Sequence, residues 1–80
     1  MIVPTKGVHP RRALLTVGGQ ILGLLGEPRT VSSIWSDLQN LRASNGDPVI
    51  GFDWFVLALD LVHSLGGIDF NGAGLLQRSP

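Results

Sequence analysis

Residues 52–65 constrain the fold more than any other stretch. Their polar members are Asp53, Asp60, His63 and Ser64; the rest are Phe52, Trp54, Phe55, Val56, Leu57, Ala58, Leu59, Leu61, Val62 and Leu65. Wound at 3.6 residues per turn, such a segment leaves only a narrow polar strip, so the pattern predicts a helix buried on most of its sides. Gly66-Gly67 ends it. Ile68-Asp69-Phe70 and Leu75-Leu76-Gln77-Arg78 then flank Asn71-Gly72-Ala73-Gly74. Asn-Gly between alternating segments is a strong hairpin signal. A lone hairpin is not stable in water, so this one must lie against helices.

Two more helices precede it. Pro10 fits the first helical position, where its missing N–H costs nothing, although His9 is not a favoured cap. Leu14, Val17, Ile21 and Leu25 form an apolar stripe over residues 10–25, with Leu15, Leu22 and Leu24 widening it. Gly18, Gly19 and Gly23 each cost about 1 kcal/mol there relative to Ala. They are expected where another element packs closely, by default the third helix. Gly26 and Pro28 close the segment. Val31, Ile34, Trp35, Leu38 and Leu41 follow helical spacing after a Thr30 or Ser32 cap. Residues 44–48 read as a loop. Ile2-Val3 and residues 29–31 are short β-prone pieces.

Three helices, a hairpin and a short strand between the first two helices make a winged helix-turn-helix-like domain, mainly α with a small β-hairpin. Eighty residues fit one domain, residues 1–80. A chain of this length buries about 60–65% of its unfolded surface. With 44% of residues apolar and 15% charged, the composition is too apolar for disorder and richer than one small core requires. No cysteine is present, which excludes disulfides and thiolate metal sites. The start lacks a signal-peptide pattern, and the apolar run 13–25 is too short to span a bilayer. A cytoplasmic location is the expectation.

A winged helix invites a DNA-binding reading. Its groove-reading helix would be residues 52–65, which contain no Lys, Arg, Asn or Gln and carry Asp53 and Asp60. Carboxylates aimed at phosphate-lined walls repel, and six Lys plus Arg against six Asp plus Glu leave no basic surplus. Groove reading is therefore disfavoured. Lys6, Arg11 and Arg12 are the one basic cluster, able to touch an anion or nucleic acid, though solvated charges at a helix start are the plainer reading. Asp60 and His63 stand three apart on one face but lack a third metal ligand or a nucleophile. Catalytic, cofactor and metal sites are not expected. Trp35, Phe52, Trp54 and Phe55 fall on apolar faces. Core packing is the first expectation for the two tryptophans, but a domain this small can hardly enclose Phe52, Trp54 and Phe55 together, so at least one of this aromatic set is expected at an interface as a partner-binding anchor.

Ile2-Val3-Pro4-Thr5-Lys6, Arg12-Ala13-Leu14-Leu15-Thr16-Val17-Gly18-Gly19, Thr30-Val31-Ser32 with Trp35, residues 52–61 and Gly74-Leu75-Leu76-Gln77-Arg78 together resemble a family of small bacterial proteins. This is the sixth class of middle component in ABC three-component systems. The resemblance covers nearly the whole chain, and Phe52-Asp53-Trp54-Phe55 is its most specific block. It implies a non-catalytic adaptor working with a large ABC-type ATPase and an effector or sensor component, in defence against phage or plasmids. One departure stands at the third helix, where Ser or Thr is expected as the cap and Gly51 is found. The alternatives are a winged-helix DNA-binding regulator and a self-associating interaction module unrelated to ATPases.

Overall fold

The computed structural model describes residues 9–79. They form α1 (Pro10–Leu24), α2 (Val31–Ser44), α3 (Phe52–Ser64), β1 (Ile68–Phe70) and β2 (Leu76–Arg78). This is a mainly helical, winged-helix-like arrangement. Ile2-Val3 and Lys6 lie outside the described residues.

Each helix is bounded by recognisable chemistry. His9 caps α1 despite its poor statistics: its Nδ1 accepts the Arg11 N–H at 3.2 Å. Thr30, not Ser32, caps α2 through Oγ1, which accepts the Ser33 N–H at 3.1 Å. Gly51 gives α3 no side-chain cap; instead the Asp53 carboxylate in the first turn accepts the Trp54 N–H at 2.9 Å and meets the positive end of the helix dipole. At the far end, Gly66 takes φ +79°. Gly67 N–H then reaches Val62 O at 2.9 Å and Gly66 N–H reaches His63 O at 3.0 Å, a Schellman closure. Gly46 closes α2 in the same way, with Asp47 N–H on Arg42 O and Gly46 N–H on Ala43 O.

The core is one cluster. Val17 and Ile21 of α1, Ile34 and Leu38 of α2, and Trp54, Phe55, Ala58 and Val62 of α3 meet Leu25, Ile50, Ile68 and Leu76. The largest helix contact joins α1 to α3, and Gly18 packs against Val62 within it. A Cβ at that position would lie 2.6 Å from Val62 Cγ2. The other two α1 glycines differ from expectation: Gly19 and Gly23 face open space, so close packing explains Gly18 alone.

The hairpin is antiparallel, pairing Ile68 with Arg78, Asp69 with Gln77 and Phe70 with Leu76. Its loop is longer than a two-residue Asn-Gly turn. The positive-φ glycine is Gly74, not Gly72. Asn71 Oδ1 organises the loop by accepting the N–H groups of Ala73 and Leu75. The expected strand at residues 29–31 shrinks to a single bridge. Arg29 and Leu76 exchange both backbone hydrogen bonds, at 2.9 and 2.7 Å, and α2 begins at Val31. That bridge ties the α1–α2 connection to the wing.

Candidate functional site

The four aromatic anchor candidates do not share one environment. Trp54 and Phe55 are buried in the core, so they cannot serve as surface anchors while the domain is folded. This corrects their placement among the partner-binding residues. The physical reason is the phase of α3. Gly18 lets α1 settle against Val62, which turns Trp54, Phe55, Ala58 and Val62 inward. Phe52 faces outward at 53% exposure, and Trp35 is half-buried against it. Trp35 meets Phe52 edge-on at 5.5 Å between centroids and Phe55 at 4.9 Å. The buried Phe55 thus links the exposed pair to the core.

The outward arc of α3 differs from the sequence expectation of a helix enclosed on most sides. Val56 and Leu57 are 38% and 39% exposed, alongside exposed Phe52, Asp53, Asp60, His63 and Ser64. Among the described residues, no helix or strand covers this side. Val49 and Phe70 add exposed apolar surface, at 75% and 54%, on the α2–α3 connection and the wing.

The described arginines lie on elements other than α3. The Arg29 guanidinium is held by Asp37, by the hydroxyl and carbonyl of Ser33 and by Leu24 O, locking the α1–α2 connection. Arg78 donates to Leu22 O at 2.9 Å. Arg11 and Arg12 are exposed at the start of α1, a different element from the outward arc of α3. Asp60 and His63 are both exposed and joined by no hydrogen bond or ion pair.

One buried charge escaped the sequence pattern. Arg42 continues the buried α2 row Ile34–Leu38 by one more turn and is itself buried. Its guanidinium donates to Gln20 Oε1 and Pro48 O, each at 2.8 Å. Asp47 Oδ2 lies 3.9 Å away and accepts the Gln20 amide at 3.0 Å. Both terminal nitrogens of this buried charge are thus partnered, which offsets much of its desolvation, while its Nε has no acceptor. The network fastens α1, α2 and the α2–α3 connection together. A cavity of about 110 Å³ beside it is lined by Gln39, Arg42, Ala43, Asp47, Pro48, Val49 and Ile50. Among the described residues, no three His, Asp or Glu side chains gather as a metal site, and no helix is long and apolar enough to cross a membrane.

The fold and its surface define a class: a small winged-helix-like domain whose third helix turns oil and carboxylate outward where a groove reader carries cations. The family model described as ABC-three component (ABC-3C) system Middle Component 6 matches residues 3–79, and the chain belongs to that family. No curated protein and no solved structure matches it. The chain is thus a component of an ABC-3C system, and such a system implies partner proteins.

Proposed function

We propose that the chain is a non-catalytic adaptor, docking through the outward face of α3 and the adjoining wing onto the larger components of its system. Those components are an ABC-type ATPase and an effector or sensor subunit, acting in defence against phage or plasmids. The observation that carries this reading is the surface chemistry of α3. Phe52, Val56 and Leu57 are exposed together with Asp53 and Asp60, and the helix has no Lys or Arg. Apolar side chains exposed on a folded domain gain free energy when a partner covers them, at about 25 cal/mol per Å². The same face repels phosphate, which speaks against the regulator reading.

Co-expression with the other two components of the system tests it. A stable complex that co-purifies through size exclusion is the expected outcome. A chain that elutes alone from both components contradicts the proposal. A gel shift at low salt separates the regulator reading: DNA retardation lost in Arg11→Ala/Arg12→Ala would favour that reading instead.

A further inference from the structure

The exposed arc of α3 has an internal order. Asp53 and Asp60 are seven residues apart and hold the same position in a heptad, about 10.5 Å apart along the axis. Val56 with His63, and Leu57 with Ser64, are likewise seven apart. On a helical wheel the two carboxylates run down the middle. Phe52 and Val56 lie to one side and Leu57 to the other. The helix carries no Lys or Arg to neutralise Asp53 or Asp60, and among the described residues neither carboxylate is in an ion pair. Asp53 uses one oxygen on the Trp54 N–H, and its other oxygen accepts no hydrogen bond from the described residues.

Resting on the docking reading above, we propose that the occupant of this face is a cationic amphipathic helix of a partner subunit. It presents Lys or Arg at i and i+7 to Asp53 and Asp60, with an apolar residue between them set against Val56 and Leu57. Helices that pack near parallel or antiparallel, at about 20°, keep such rows aligned over two turns. The apolar rows supply burial, while the carboxylates select a basic helix over an acidic one and fix its register. Nucleic acid is cationic nowhere and cannot satisfy the two carboxylates. The exposed described arginines of a second copy, Arg11, Arg12 and Arg78, include no pair seven apart on one helix.

The test uses the intact chain and the two other components of its system, with affinities measured for wild type and for Asp53→Asn/Asp60→Lys. Asn keeps the acceptor for the Trp54 N–H, and a thermal melt confirms that the variant folds. The variant is expected to bind at least tenfold more weakly. Raising salt from about 0.1 M to about 1 M, which shortens the screening length from about 10 Å to about 3 Å, weakens wild type severalfold and the variant far less. A zero-length carbodiimide is expected to join Asp53 or Asp60 to a Lys on a helical segment of the partner. Unchanged affinity in the variant overturns the proposal while leaving the docking reading standing. If the variant dissolves a dimer of the chain but not the complex, the occupant is a second copy and the proposal falls. A wild-type chain that binds neither component overturns both.

Discussion

Gly18 is the residue at which backbone and packing are most tightly coupled. Any larger side chain there would collide with Val62, since even a bare Cβ comes within 2.6 Å of its Cγ2. Gly18→Ala is expected to cost about 1–3 kcal/mol through overpacking. Gly19→Ala and Gly23→Ala, which face open space in the same helix, are expected to stabilise by about 0.4–1 kcal/mol. Urea unfolding of the three variants checks both signs. Trp54 makes a second contrast. It is buried, and its indole N–H has no acceptor. Trp54→Ala removes about 3–5 kcal/mol of packing and should unfold much of the population. Trp54→Phe also removes the orphan donor, so lost packing and relieved desolvation offset to within about 1 kcal/mol. A change at Trp54 therefore reports on folding, whereas one at Phe52 reports on the surface.

At the scale of elements, the helix ends decide the turn geometry. Gly66 takes φ +79° so that α3 can close and β1 can depart. Gly66→Ala is expected to lower stability by about 1–2 kcal/mol, read as a lower midpoint in thermal denaturation. Much of this level was legible in the sequence, because it is local. The apolar periods marked all three helices, Gly66-Gly67 marked the end of α3, and Asn71 with its glycines marked the hairpin. What was not legible depends on partners distant along the chain. Arg42 sits on the buried row of α2, but only Gln20 and the Pro48 carbonyl make that position habitable for a charge. The outward aromatic of α3 was equally hidden. Periodicity gives a helix its faces, while the contact of Gly18 with Val62 determines which face is inside. The strand at residues 29–31 shortened to one bridge because Thr30 caps α2 and Val31 already belongs to that helix.

For the whole molecule, the question is what a domain of zero net charge does with its uncovered side. Its guanidinium groups largely hold its own loops together, and its outward third helix is apolar and acidic. The candidate site was half legible: the aromatic block was visible in the sequence, but the exposed set is Phe52, Val56 and Leu57 rather than Trp54 and Phe55. That difference sharpens the test of the central claim, that this face of α3 docks a protein partner. Val56→Lys alters the exposed face without touching the core, adds a better helix former, and places a cation one turn from Asp60. Its effect on stability should stay within about 0.5 kcal/mol, or about 4 °C in the melting midpoint. Co-purification of Val56→Lys with the other components of the ABC-3C system is the decisive measurement. A normally folded variant that no longer enters the complex is the predicted result; one that assembles as wild type does would contradict the account.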